Sequence, residues 1–301
     1  MRHAACSSWI NLFRRQNFVF LTGDLGFGAL EPLRDEMGQH FINVGIAEQN
    51  MVSVAAGMAR MGMSAWIYSI APFCYARPFE QIRNDVCLHG LPVKIVGNGG
   101  GYGYGTMGSS HHALEDYGTL LSLPGMRAYV PIFAADVDPM VKKMAQESHP
   151  AYLRLGRCER PKEYAIPPYA PWRRLLTGGG TPALVIGPLA GGVIEACWIL
   201  PEGHRPEIWG LCQLPMTAYP PPQAFIDLVR LRRKLVVIEE HGVHGSAGQM
   251  LAHTFLQNNI SLDSFVHMHA VGYPSATYGS QSFHRKECGL DKNTLLKILT
   301  G

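Results

Sequence analysis

Asn43-Val44-Gly45-Ile46-Ala47-Glu48-Gln49-Asn50-Met51 is the stretch on which the reading of this chain turns. It ends a short apolar run (Phe41, Ile42, Val44) and opens a longer pattern, Met51, Val52, Val54, Ala55, Ala56 and Met58, of helical spacing. Its single acid, Glu48, lies in the first turn of that expected helix. A carboxylate is ordinary there, because unpaired N–H groups and the helix dipole favour negative charge. By itself the stretch says strand, turn, helix and no more.

Outward from it, the same grammar repeats. Phe18–Leu21, Phe41–Val44, Ala65–Tyr68, Val93–Val96 and Ala128–Val130 read as strands, with helices expected near 47–61, 76–88, 113–122 and 135–147. Gly62 suits the end of one helix and Asp136 the start of another. Alternating strands and helices predict an α/β fold with mainly parallel sheets covered on both faces. Between 159 and 181 the texture changes to Pro161, Pro167, Pro168, Pro171 and Gly178-Gly179-Gly180, which reads as a linker. Beyond it the alternation resumes, with strands at Ala183–Ile186 and Leu235–Ile238 and helices near 190–199 and 246–257. Two domains are therefore expected, 1–170 and 171–301, each with its own core.

Composition excludes several classes. A net charge of +3 with no basic run or basic amphipathic helix gives no footprint for nucleic acid. No run of about eighteen apolar residues occurs, and Met1–Cys6 has no long apolar core, so no membrane span or leader is expected. Seven scattered cysteines without C-x-x-C indicate neither a disulfide framework nor zinc, and fit reduced thiols in a cytoplasmic protein. The sequon Asn259-Ile260-Ser261 then reads as accidental.

Three further stretches carry candidate chemistry. Gly97–Gly108 contains G-x-G-x-x-G at 103–108, but Ser109-Ser110-His111-His112 follows where a dinucleotide site would open a helix. No Gly-Lys-Ser/Thr occurs either, so no P-loop is present. A flexible loop that passes close to a ligand and delivers two histidines fits better. Neighbouring positions on an extended chain point opposite ways, so His111 and His112 do not share one metal. Imidazole at such a loop suits proton transfer near neutrality, although a solvent-exposed pair remains the plainer reading. In Ser69–Val86, Phe73, Tyr75 and Phe79 follow a strand; aromatics there are usually core, yet one of them can offer a flat face to a heterocycle.

Thr22-Gly23-Asp24-Leu25-Gly26, Asn43–Met51, Ser69–Val86 and Gly105–Asp116, in that order, resemble the C-terminal half of the transketolase family, which some organisms encode as a separate small (beta) subunit. The resemblance runs from about 10 to 157 and more loosely from 181 to 258. It implies a pyrimidine-binding domain for thiamine diphosphate, followed by a transketolase C-terminal-like domain. It places Glu48 where the family's glutamate meets ring nitrogen N1′ of the cofactor. A buried carboxyl that shares a proton there promotes cofactor activation. Phe73 matches the aromatic that stacks on the ring, with Phe79 as its support, and Asp24 and Leu25 match a loop beside the cofactor. His111 matches a histidine that reaches substrate hydroxyls, with His112 beside it as a further substrate candidate, and Arg157 matches an arginine that holds a substrate phosphate. The second half, including Val237-Ile238-Glu239-Glu240-His241, is implied to be structural and dimer-forming.

The family's Gly-Asp-Gly…Asn motif, which holds Mg²⁺ and the diphosphate, is absent; Gly23-Asp24-Leu25 is not one. A partner subunit carrying that motif is implied, in an α2β2 enzyme that moves a two-carbon ketol unit from a ketose to an aldehyde. Glycines at 97–101 replace a family histidine and Met107 a family aspartate, which points to an unusual donor or acceptor. The competing expectations are a component of an enzyme using 2-oxo acids, of the deoxyxylulose-phosphate synthase or dehydrogenase β type, and a scaffold without catalysis.

Overall fold

The strands stand where short apolar runs predict them, and the buried ones are apolar along their whole length. The computed structural model describes residues 1–301. It contains twelve strands: β1 Val19–Thr22, β2 Phe41–Asn43, β3 Ala65–Ile70, β4 Lys94–Asn98, β5 Arg127–Tyr129, β6 Ala151–Leu155, β7 Trp172–Leu176, β8 Ala183–Ile186, β9 Ile208–Leu211, β10 Gln213–Leu214, β11 Lys234–Glu239 and β12 Ser264–Met268. Every residue of β1, β3 and β8 is buried, as parallel strands covered on both faces require. No helix is long and apolar enough to cross a membrane.

One sheet has the order β10-β5-β6-β4-β3-β1-β2 and the other β12-β11-β8-β9-β7. Pairing is parallel except where β10 meets β5 and β7 meets β9. In the first sheet the chain leaves β1 for the edge strand β2, then returns to β3 on the other side of β1. This reversal opens a crevice at the carboxyl ends of the strands, the usual ligand position in open α/β sheets. The turns after β1, β2, β3 and β4 carry Asp24, Glu48, Phe73 and the glycine stretch.

Helix Glu48–Arg60 buries Met51, Val52, Ala55, Ala56 and Ala59, one stripe of helical period, against the sheet. Gly62, at φ +86°, closes it. The helix expected near 76–88 differs: a first piece runs Ala71–Tyr75, and a second begins at Phe79 and passes into a wide turn over Ile82–Cys87. Pro72 is tolerated in a first turn, whereas Pro78 has no N–H to continue one.

Two expectations need correction. Residues 159–181 are not all linker, because Trp172–Leu176 forms β7; the surrounding prolines and glycines masked a five-residue run. Nor does each half have a separate core. One apolar cluster joins Trp9, Phe20 and Trp66 to Val185, Leu189 and Leu295, and the other joins Val52 and Ile67 to Leu184, Trp209 and Leu251. Strand β10, from beyond the linker, adds itself to the first sheet, where Gln213 accepts from Lys143 at 2.9 Å. Asp136 does serve its helix start, accepting from the N–H groups of Ile132 and Phe133, and also pairs with Arg173 of β7.

Candidate functional site

Glu48 is the first residue of its helix and only 5% exposed. A Cβ placed on Gly23 would lie 3.8 Å from its Cγ, so the turn after β1 runs against this side chain. The Glu48 carboxylate accepts one hydrogen bond, from Nη1 of Arg77 at 2.7 Å. The Arg77 guanidinium in turn lies over the Phe73 ring, its Cζ 3.6 Å from the ring centroid. Phe73 meets the His111 ring edge-on, with centroids 5.1 Å apart. Four side chains from three different strand ends thus form one row: Glu48, Arg77, Phe73, His111.

Asn43 fixes the near wall. Its side chain accepts from the N–H groups of Asp24 and Gly45 and donates to the Asp24 carboxylate, all at 3.0 Å. Asp24 holds φ +56°, a conformation that aspartate tolerates better than most residues when its side chain bonds locally. Thr22 donates to the carbonyl of Leu25 at 2.9 Å and closes the same turn. Leu25 and Phe79 are half-buried, each against a different apolar cluster, so they back the site rather than face out of it.

The glycine stretch is packed rather than loose. A Cβ at Gly99, Gly100 or Gly101 would fall within 2.6 Å of Tyr104, Arg154 or Glu240 respectively, so the close approaches these glycines permit are to the chain's own side chains. Gly101 pairs with Ala113 across the loop, and Tyr102 between them is fully buried. This architecture separates the two histidines. His111 is half-buried, with Nδ1 2.9 Å from the Ser110 hydroxyl. His112 turns the other way, 3% exposed, with Nδ1 2.8 Å from the Tyr273 hydroxyl and Nε2 2.7 Å from the Gly105 carbonyl. Burial holds the His112 ring toward its neutral form. Both its nitrogens are committed inside the chain, so it fastens the loop and has none left for a substrate.

Arg157 stands apart from this row. It is exposed and lines a narrow cleft with Gly100, Arg154, Glu240, Gln281 and Arg285, where the two sheets meet. Behind it Arg154 is buried, pairing with Asp116 at 2.9 Å and donating to the carbonyls of Ala113 and Glu240. Glu240 binds Arg285 and the N–H of Tyr102. Asn43 and Arg77 are the residues that sequence reasoning did not assign. Asn43 gave a cue, an amide next to a turn glycine; Arg77 gave none, since its partners are 29 and 4 positions away.

A flat cation rests on Phe73 and on the Glu48 carboxylate at once. The same two groups therefore suit an aromatic ring that stacks on one and hydrogen-bonds the other. Residues 11–162 match the family described as the transketolase pyrimidine binding domain. The chain is 27% identical to one of the separately encoded subunits of the apulose-4-phosphate transketolase of Phocaeicola vulgatus, covering 94% of this chain and 90% of that one. It is 33% identical to a 6-deoxy-6-sulfo-D-fructose transketolase subunit of a Clostridium species, over 46% of this chain and 44% of the other. Among solved structures it resembles a split-gene transketolase described as an inactive beta4 tetramer, with TM-score 0.83, 27% identity and coverage of 100% and 99%. Transketolase from Leishmania mexicana shares the fold alone, at TM-score 0.77 and 14% identity, over 99% of this chain and 44% of that one. A pyrimidine-binding domain over half the chain, with separately encoded subunits matched nearly end to end, places this protein in the transketolase family as a small subunit of the split type.

Proposed function

We propose that this chain supplies the pyrimidine half of a thiamine-diphosphate site and, with a partner subunit, transfers a two-carbon ketol unit from a ketose to an aldehyde. The observation that carries this reading is the row in which Glu48, Phe73 and His111 come together from three strand ends. When bound, thiamine diphosphate provides the nucleophilic carbon and the electron sink that breaking a carbon–carbon bond requires. Glu48 holds a proton toward the ring nitrogen from a buried position. Phe73 orients the ring by stacking, and the Asp24–Leu25 turn, braced by Asn43, borders it. His111, beyond Phe73, binds substrate hydroxyls and moves a proton at the reacting carbon–oxygen group. Arg157 faces the cleft between the sheets, where an anionic end of a longer substrate would lie.

The chain has no Gly-Asp-Gly, and no three His, Cys, Asp or Glu side chains converge as metal ligands. We therefore assign the diphosphate and Mg²⁺ to the partner and expect an α2β2 assembly that is inactive without it. The cytoplasm is the compartment we infer, since all seven cysteines are free and six are buried. The test is reconstitution with a Gly-Asp-Gly-bearing partner and turnover of ketose donors. Glu48→Gln in that pair is expected to reduce turnover by at least ~10²-fold. Turnover of pyruvate with no ketose accepted would overturn the ketol-transfer assignment, and full activity of the glutamine variant would overturn the site.

A further inference from the structure

Arg77 lies where a bound ring would have to lie. Its guanidinium is planar and delocalised, carries N–H donors at its edge and stacks well on aromatic faces. It uses both properties at once, with Cζ 3.6 Å from the Phe73 centroid and Nη1 2.7 Å from Glu48 Oε1. That bond is the one hydrogen bond the buried Glu48 carboxylate makes, and no other side chain competes for it. The Arg77 side chain itself is 44% exposed and makes no second side-chain bond, so solvent lies open for it to withdraw into. Any ring that both stacks on Phe73 and bonds Glu48 needs the volume the guanidinium fills.

We propose that Arg77 is a self-ligand of the pyrimidine pocket: it fills the ring's place in the empty site, and the cofactor binds only by displacing it. This rests on the assignment of Glu48 and Phe73 as the ring's contacts. Two consequences follow from the geometry. The empty pocket keeps Glu48 paired and the Phe73 face covered, so the site does not expose a buried carboxylate or an apolar face while awaiting its partner. Cofactor affinity is lowered by the fraction of time the arginine occupies the pocket, because the apparent dissociation constant is the intrinsic one divided by the open fraction. Lysine at this position would keep the charge and lose the stacking plane.

The test uses the assembled two-subunit enzyme, stripped of cofactor and titrated with thiamine diphosphate at constant Mg²⁺, reading quenching of protein fluorescence. Arg77→Ala is expected to bind roughly tenfold more tightly than wild type, with faster association, and Arg77→Lys to fall between them. Position 77 is half in solvent, so unchanged melting temperatures for both variants are part of the expectation. Equal or weaker cofactor binding by Arg77→Ala overturns the self-ligand proposal. Failure of the underlying site assignment reads differently: Phe73→Ala would then bind cofactor as wild type does, and neither arginine variant would shift the titration.

Discussion

Two adjacent histidines show how much a single position decides. His111 and His112 are indistinguishable as residue types, yet one ring leans on Phe73 while the other is locked between Tyr273 and the Gly105 carbonyl. Alternation along an extended chain foretold that they would point apart, but not which of them would face inward. That choice depends on Tyr273, 161 positions away, and no local pattern reports it. The motifs were enough to select Glu48 and Phe73, because family spacing carries over residue by residue. They were silent on Arg77, whose importance arises only from what it touches. The contrast between the histidines is directly measurable. His111→Ala in the reconstituted enzyme should lower kcat about 10²-fold or more while melting is unchanged. His112→Ala should do the reverse in kind, costing about 1–3 kcal/mol by leaving two buried polar groups unpaired. Urea unfolding of both variants beside their steady-state rates checks this, and equal stability losses would refute the division of roles.

Among elements, the central parallel strands were the most legible, because burial on both faces leaves short uninterrupted apolar runs. β7 was hidden by the prolines and glycines on either side of it, and β10 is two residues long, too short for any period to register. The glycine stretch was legible as special and was misread as loose. Its four positive-φ glycines, at 99, 101, 105 and 108, set a path that brings backbone against Tyr104, Glu240 and the 278–281 segment. Gly101→Ala tests that account. The residue stands at φ +66°, and an added Cβ would approach the Glu240 carboxyl carbon at 2.6 Å. Left-handed strain of roughly 1–2 kcal/mol adds to the cost of moving a side chain that binds Arg285 and the Tyr102 N–H. A loss of about 2–4 kcal/mol in unfolding free energy is expected from these two costs. A variant as stable as wild type would show that the loop is as pliable as its composition suggested.

At the scale of the whole molecule, the two halves are joined by a buried polar seam rather than by apolar contact alone. Tyr117 stacks on His241 with centroids 3.8 Å apart and hydrogen-bonds Glu239; Tyr102 stacks on His284; His112 binds Tyr273. Burial is the largest influence on His112, His241 and His284, and it holds each below the usual histidine range. His241 is faced by Asp116 and Glu239, which favour its charge, and by Arg154, which opposes it; desolvation outweighs the acids. In the unfolded chain these histidines take up protons near pH 6.5, while the folded chain keeps them neutral to lower pH. The unfolded state then binds more protons, so stability is complete above about pH 6.5 and falls as the solution is acidified. Each such histidine removes on the order of 1 kcal/mol for each pH unit below 6.5, until its own folded value is reached. His241→Asn separates this from the carboxylates, which titrate lower. The amide preserves the donor to the Gly242 carbonyl and loses the acceptor for the Gly118 N–H. Its unfolding free energy should be lower than wild type at pH 7.0, yet fall less between pH 7.0 and 5.5. If both proteins lost the same stability across that interval, the His241 ring would not be the neutral member of the seam, and the acid sensitivity would belong elsewhere.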